Sequence, residues 1–338
     1  MTRVWMWNKN TKSRGAVLGI LFAIVLFFPI VSTSDFLVRI VVTSLIYAIA
    51  SMGNMIIVGY CGLLTCGHGA FYGLGAYVSA LLAVDLNLPF AACFLFAIFG
   101  SALFGLLISI PCLRVQVDFL SLITIAFAQI FQAVIKNWTD LTGGARGIVG
   151  IPSPSIFGFE FSSQISYYYL VLAVILIVYV LLRNLMKSSI GRAMQAVRDD
   201  EVGARAMGID VNKYKIIAFV IGSVAAGIGG CLMAHYLRYI GPTSFTLDVS
   251  LQFMQMIILG GLGSLEGAVL GAFFFTIMPE IFRPFAVYRM GLGGAVMLLV
   301  ILFRPQGLLG SKAFAGNGGL LSKLLEKRSG KEERKAAV

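Results

Sequence analysis

The residues best suited to catalysis or metal binding in this chain are two histidines and five cysteines. Their spacing matches no known catalytic or metal-binding pattern. His68 and His235 each stand alone in apolar sequence, where one imidazole more often packs between helices than catalyses. Cys61 and Cys66 lack the second ligand pair of a zinc site. No nucleophile is accompanied by a base and an acid. We therefore predict no catalytic residue and no metal site, so a substrate of this chain is moved rather than transformed.

The sequence also argues against nucleotide chemistry. The phosphate-binding pattern G-x-x-x-x-G-K-[ST] is absent, and the nearest fragment, Gly307 to Lys312, has the wrong spacing. We therefore expect the chain itself to bind no cofactor, neither ATP nor Mg²⁺.

A glycine-rich stretch, GYCGLLTCGHGAFYGLGAY, occupies residues 59–77. Its glycines fit close helix packing, which needs no substrate. They fit equally a kinked or broken helix that lines a translocation pathway, and the sequence leaves both interpretations open. The pathway candidates are Gly59, Gly62, His68, Gly69, Gly73 and Gly75.

A partial echo of this stretch follows about 200 residues later. The segment 257–260 resembles 56–59, and Gly263 aligns with Gly62. The echo fits either an internal repeat, which is common in transporters, or chance in a glycine-rich chain.

These residues must be positioned by helices that cross a membrane. The chain is 59% hydrophobic and 12% charged, which is about half the charged share of a soluble domain. Apolar stretches near the roughly 20 residues that cross a bilayer recur along it. We predict an all-α, polytopic membrane protein with about 10 transmembrane helices. The predicted spans are 16–32, 37–59, 63–85, 88–111, 118–136, 166–183, 214–238, 249–263, 265–282 and 288–303.

The distribution of basic residues predicts the orientation. With a cytoplasmic N-terminus, 20 of the 26 lysines and arginines lie on the inner side, which is a strong positive-inside signal. Both termini are then cytoplasmic, as an N-terminal tail (1–15) and a C-terminal tail (304–338) around a transmembrane domain (16–303). The net charge of +11 is thereby explained by topology and contact with anionic lipid, and nucleic acid is not an expected partner.

Two segments leave alternatives open. The first span has the basic start of a secretory signal, but Val31-Ser32-Thr33 is a poor cleavage site, so we interpret it as an uncleaved span. Residues 249–303 hold either three short spans or one span with a re-entrant pair.

The loop at 184–213 is the most informative polar segment. Ala193, Ala196 and Val197 are predicted to share one side of a short helix, which the acidic residues at 199–201 interrupt. A second amphipathic turn is predicted to end at Gly208. The segment is either a solvated loop or a docking element for a soluble partner.

Several motifs together resemble the LivM-type permease subunit of branched-chain amino acid ABC importers. They are GYCGLLTCGHGAFYGLGAY (59–77), SLITIAFAQIFQAVIKN (121–137), LTGGARGIVGIP (141–152), SIGRAMQAVRDDEVGARAMGID (189–210), ILGGLGSLEGAVLGA (258–272) and RPQGLLG (304–310). The family often has serine where this chain has Thr65 and Cys66, which is a small-for-small change.

The resemblance implies the partners. Family members work with a second related permease subunit, two cytoplasmic ATPase subunits that bind ATP and Mg²⁺, and a periplasmic binding protein, in the bacterial inner membrane. It also implies that residues 189–210 form the loop that couples to the ATPase, with Arg192, Asp199 and Met207 as contacts. The full set of coupling-loop candidates is Ser189, Gly191, Arg192, Ala196, Val197, Asp199, Ala204, Met207 and Gly208.

The outer loop at 137–165 is the matching candidate for contact with the binding protein, through Thr142, Gly143, Gly144 and Gly147. The substrate class stays open among branched-chain amino acids, other amino acids, amides and urea, because selection lies in another chain.

The main alternative is a stand-alone secondary transporter or channel. Such a protein usually carries an ionisable residue within the membrane for coupling, and Asp118 at the inner edge is the nearest in this sequence. A membrane enzyme is the second alternative, and the missing catalytic set argues against it.

Overall fold

The computed structural model describes residues 28–29, 34–115, 119–156, 158–281, 294, 298, 300, 302 and 307–309. Almost all of this part of the chain is helical. Its helices are α1 (Asp35–Asn54), α2 (His68–Val84), α3 (Phe90–Leu113), α4 (Leu120–Asn137), α5 (Thr139–Thr142), α6 (Gln164–Lys187), α7 (Ser189–Asp199), α8 (Glu201–Ala206), α9 (Val211–Leu237), α10 (Leu247–Gly260) and α11 (Leu265–Ile281).

Shorter elements complete the fold. A π-helix, Met55–Tyr60, continues α1, and two 3₁₀ turns lie at Gly144–Arg146 and Pro242–Phe245. Strand β1 (Ile148–Val149) pairs antiparallel with β4 (Tyr239–Ile240) and ties the outer loop to the end of α9. Strands β2 (Ser155–Ile156) and β3 (Phe159–Glu160) form a hairpin within the same loop.

Five helical segments in the described part are long and apolar enough to span a membrane. They are Asp35–Tyr60, Phe90–Leu113, Leu120–Asn137, Gln164–Lys187 and Val211–Leu237. Two shorter apolar helices, His68–Val84 and Leu247–Gly260, lie among them. The prediction of an all-α, multi-pass membrane protein is confirmed, whereas the number of 10 spans and the orientation stay predictions.

The boundaries of two predicted spans were wrong. The span predicted at 63–85 begins as a helix only at His68, after the non-helical residues 61–67. The span predicted at 249–263 ends at Gly260, because Gly261 and Gly263 have positive φ. The predicted span 288–303, both tails and most of 16–32 lie outside the described residues.

Helix α9 forms the centre of the bundle, where glycines allow close approach. A Cβ atom added to Gly53 of α1 would lie 2.5 Å from the carbonyl oxygen of Gly222 in α9. Gly227 of α9 packs against both Gly75 of α2 and Ser101 of α3. Small residues at helix contacts are the usual means of packing in a membrane.

The outer surface of the bundle is apolar. Helix α3 buries one stripe of small residues and exposes its large side chains, such as Phe99 at 69% and Leu103 at 55%. Leu122 and Ile130 of α4 are similarly exposed. A surface of this kind suits hydrocarbon or another hydrophobic subunit.

Candidate functional site

The glycine-rich stretch contains a break in the helical chain. The π-helix ends at Tyr60, residues 61–67 are not helical, and Gly62 has a φ of +77°. His68 opens α2, and its Nε2 donates a hydrogen bond to the carbonyl oxygen of Ala50 at 2.8 Å. Ala50 lies ten residues before Tyr60, about 15 Å along the helix axis, so residues 61–67 run back beside α1. The glycine-rich stretch thus contains a helix break, whereas its role in lining a pathway stays a prediction.

Neighbouring helices hold this non-helical segment in place. The amide of Cys66 donates to Thr124 Oγ1 of α4 at 3.0 Å, and the amide of Gly69 donates to Ser250 Oγ of α10 at 2.9 Å. Backbone outside a helix is tolerated at membrane depth only where protein or a cavity satisfies its polar groups. Thr124 satisfies one amide of the segment, and Ser250 satisfies one in the first turn of α2.

The predicted pathway glycines meet other helices. Gly69 packs on Ser250, Gly73 on Phe131 and Phe245, and Gly75 on Gly227. Close packing therefore accounts for these glycines in this structure. A role for them, or for Gly59, Gly62 and His68, in substrate passage stays a prediction.

Two short helices, α7 and α8, form a separate unit at the end of α6. Ser188 Oγ accepts from the amide of Ile190 and caps α7. Asp200 has an extended backbone, and its Oδ1 accepts from the amides of Val202 and Gly203 at 3.0 Å, which caps α8. Side-chain oxygens of serine and aspartate are favoured at such positions. The predicted acidic interruption is thus the boundary between two helices.

Ala193, Ala196 and Val197 share one side of α7, as predicted, but the side that packs on the bundle is a neighbouring one. The buried side of α7 consists of Gly191, Met194 and Val197, whereas Ala193 and Ala196 are only half-buried. The reason is that Gly191 has no side chain and rests directly on the backbone of Met186, which rotates this side of α7 toward the bundle.

The predicted coupling-loop residues divide by exposure. Gly191, Val197 and Ala204 are buried within the chain, and Ala196 is half-buried. Val202 and Met207 project outward, with 78% and 83% of their surface exposed. The predicted residues that are free for a partner to touch are Ser189, Arg192, Asp199, Met207 and Gly208.

Arg198, which the sequence analysis did not single out, joins α7 to the chain break. Its Nη1 donates to the carbonyl oxygen of Gly59 at 3.1 Å, and its Nε and Nη2 donate to Asp199 Oδ1 at 2.8 and 2.6 Å. The Arg198 side chain is 15% exposed. Carbonyls at a helix end lack intrahelical partners, and Arg198 supplies one at this end. A Cβ atom on Gly62 would lie 2.7 Å from Arg198 Cγ, so glycine leaves room for this side chain.

A second ionic link fastens α8 to α9. Glu201 Oε2 lies 2.8 Å from Lys215 Nζ, and the lysine side chain is 9% exposed. Glu201 Oε1 also pairs with Arg205 at 2.8 Å. The helix pair is thereby held at two points, one on the π-helix and one on the central helix.

The turn between α10 and α11 lies against the same break. The amide of Gly263 donates to Met55 Sδ at 3.2 Å, and Gly263 has a φ of +79°, close to the +77° of Gly62. Of the echoed positions, Gly62 and Gly263 therefore share a left-handed backbone, whereas residues 56–59 are π-helical and residues 257–260 are α-helical. Tyr179 Oη donates to Glu266 Oε1 at 2.6 Å, which joins this hairpin to α6. The amides of Leu308 and Leu309 donate to the carbonyls of Leu259 and Gly260 at 2.8 Å.

The predicted residues of the outer loop shape it rather than form its surface. Thr142, Gly144 and Gly147 are buried, and Gly143 is half-buried. Thr142 Oγ1 donates to the carbonyl of Ile135 at 2.6 Å, and the three glycines have positive φ angles between 56° and 72°. The exposed positions that the sequence analysis missed include Arg146 and Val149.

The described elements define a polytopic α-helical membrane protein with a broken helix and an attached helix pair. Residues 36–303 match the family described as "Branched-chain amino acid transport system / permease component". The chain is 36% identical to the high-affinity branched-chain amino acid transport system permease protein LivM of Salmonella typhimurium, over 80% of this chain and 69% of that protein. LivM of Escherichia coli is 35% identical over the same shares.

A second kind of permease is more distantly similar. LivH of Escherichia coli is 26% identical over 78% of this chain and 91% of that protein. No solved structure matches the chain. On the family match and the identity to LivM, the chain belongs to the branched-chain amino acid transport permease family.

Proposed function

We propose that this chain is a transmembrane permease subunit of an ATP-driven importer. Its substrates are branched-chain or other hydrophobic amino acids, delivered by a periplasmic binding protein across the bacterial inner membrane. Relatives named LivM and LivH, which the chain resembles to different degrees, support a second, related permease as its partner. Two cytoplasmic ATPase subunits supply the energy.

The observation that carries this proposal is the attachment of α7 to the broken helix through Arg198 and Gly59. A soluble ATPase acts on a membrane path only if a contacted segment is mechanically joined to it. The exposed residues Met207 and Val202 offer an apolar contact, and Arg192 and Asp199 offer charges beside it. In the predicted orientation this unit faces the cytoplasm.

The proposed mechanism is alternating access. ATP binding closes the ATPase pair, the closing pair displaces α7 and α8, and Arg198 transmits the displacement to the end of the π-helix. The outward-open and inward-open states then exchange because nucleotide and substrate bind the two states with different affinity.

The test is purification of the tagged chain from native membranes in mild detergent, followed by reconstitution. We expect a second permease and an ATPase to copurify, and leucine uptake to require ATP and the binding protein. Recovery of this chain alone, with uptake that needs no ATP, would instead support a stand-alone carrier and refute the proposal.

A further inference from the structure

Four ring-bearing side chains fill the space where α1, α2 and α10 meet. We define the aromatic seam as Tyr47 of α1, His68 and Tyr72 of α2, and Phe253 of α10. Phe253 contacts the other three, with ring centroids 5.6, 5.8 and 5.4 Å away, respectively. A side chain can change rotamer without displacing its helix, whereas the glycine contacts elsewhere in the bundle join backbone to backbone.

Asn54 lies on the face of α1 that borders the seam. Tyr47, Ala50 and Asn54 follow at i, i+3 and i+7, which is one helical face. Ala50 is the residue whose carbonyl accepts from His68 Nε2. Side chains on a helix lean toward its N-terminus, so the Asn54 amide leans toward Ala50 and the seam.

Several polar atoms along this seam lack hydrogen-bond partners. Among the described residues, seven buried side-chain nitrogen or oxygen atoms have no hydrogen bond, and four of them belong to Asn54, His68 and Tyr72. Asn54 is 0% exposed, and both atoms of its amide are unpaired. Buried polar groups are nearly always bonded, so a cluster of exceptions needs an explanation such as an absent ligand.

The unpaired atoms are chemically matched to a zwitterion. Because His68 Nε2 donates to a carbonyl, a neutral imidazole leaves Nδ1 as an acceptor, which suits an ammonium group. Asn54 offers one acceptor and two donors, and Tyr72 Oη can donate to a carboxylate. Ring faces also attract an ammonium group. The named seam residues carry no formal charge when the histidine is neutral, and a zwitterion needs no net countercharge.

We propose that the aromatic seam is the site where this chain binds the substrate as an α-amino acid zwitterion, with Asn54 and His68 as its polar contacts. Tyr72 Oη, one turn further along α2, is the next polar group on the same route. The inference rests on the proposed function, because that function supplies the amino acid.

The experiment uses the complete importer in proteoliposomes, with leucine uptake and binding-protein-stimulated ATP hydrolysis measured together. Asn54→Leu keeps the side-chain size and removes both unpaired atoms. We expect uptake to fall at least about tenfold, the loss typical of one hydrogen bond to a charged group, while stimulated ATP hydrolysis stays within about twofold of wild type. A merely structural role for Asn54 would lower both rates together and would overturn the proposal.

Two matched hydroxyl deletions decide the matter if Asn54→Leu fails to assemble. Tyr72→Phe removes the unpaired hydroxyl on the seam, and Tyr77→Phe removes another unpaired buried hydroxyl, on the side of α2 that contacts Phe131 of α4. We expect about fivefold slower uptake for the first and wild-type uptake for the second. Equal uptake by the two variants would overturn the seam assignment.

The wild-type complex separates the two proposals. If it shows no ATP-dependent leucine uptake, the proposed function fails and this inference fails with it. If it transports leucine and Asn54→Leu or Tyr72→Phe does so at the same rate, this inference alone is refuted.

Discussion

Replacing Arg198 by glutamine tests how the helix pair communicates with the membrane domain. The substitution removes the hydrogen bond from Arg198 Nη1 to the carbonyl oxygen of Gly59 and leaves that carbonyl without its donor. A buried acceptor left unpaired costs about 1–3 kcal/mol. The accompanying pair with Asp199 adds little, because the aspartate side chain is 66% exposed and solvent screens it.

A change of about 1–3 kcal/mol corresponds to about a 5- to 150-fold change in the equilibrium between two coupled states. If Arg198 transmits the ATPase movement, the substitution should weaken the coupling of ATP hydrolysis to transport and leave assembly of the complex unchanged. We expect Arg198→Gln to assemble and hydrolyse ATP, with at least about fivefold more ATP consumed per leucine transported.

Two further variants make the assay specific. Arg205→Gln is the matched control, because it also removes a cation from the helix pair. The Arg205 side chain, which pairs with Glu201, is 60% exposed. It should keep the wild-type ratio of ATP to leucine. Arg198→Lys should restore part of the coupling, since lysine can still donate to the Gly59 carbonyl. A wild-type ratio in Arg198→Gln would refute the reasoning.

Two other predictions concern the same region. Gly62→Ala should lower the free energy of unfolding by about 1–3 kcal/mol, since φ is +77° and the new Cβ would lie 2.7 Å from Arg198 Cγ. Gly150→Ala is the control in thermal unfolding, because Gly150 has a similar φ of +78° and a Cβ there would meet nothing within 4 Å. An equal loss of stability in the two variants would show that a clash with Arg198 contributes nothing. Val202→Asp with Met207→Asp should leave thermal stability unchanged but reduce ATPase copurification by at least about tenfold, as expected for a desolvated apolar contact. Undiminished copurification would show that Val202 and Met207 do not contact the ATPase. Val149→Asp is the control, because Val149 is 68% exposed but lies in the outer loop.

The sequence was sufficient for the features that depend on local composition. Apolar runs of bilayer length predicted the helices, whereas the closely spaced glycines in 59–77 left close packing and a helix break as open alternatives. The acidic residues at 199–201 were predicted to break the apolar face of a short helix. In the structure α7 ends there, because the Asp200 side chain caps a new helix.

What the sequence could not supply depends on which residues meet across long separations. In the sequence, Arg198 is one of several cations in a polar loop. Only the packing of α7 brings it into contact with Gly59, which lies 139 residues earlier in the chain. In the outer loop, Thr142 and Gly147 looked available for contact. The need for positive φ at Gly147 and the burial of Thr142 became evident only with the folded backbone.

We call the contact between Arg198 and Gly59 the junction. One continuous helical element joins the junction to Asn54, which borders the aromatic seam. Arg198 bonds to Gly59, the π-helix runs from Met55 to Tyr60, and Asn54 immediately precedes it. Single-turn π-helical segments are rare and frequently lie at functional sites, and we expect this one to couple the two sites. A displacement of α7 would then alter the direction of the Asn54 side chain.

This arrangement makes a prediction about the double variant Arg198→Gln with Asn54→Leu. If the two residues act independently, the losses in uptake multiply, as they do for distant sites without shared partners. If both act through the π-helix, the double variant should be little worse than the poorer single variant. The uptake of the four proteins in one reconstituted series measures the coupling energy. Full multiplication of the two losses would mean that the junction and the seam work separately, and that the π-helix carries no signal between them.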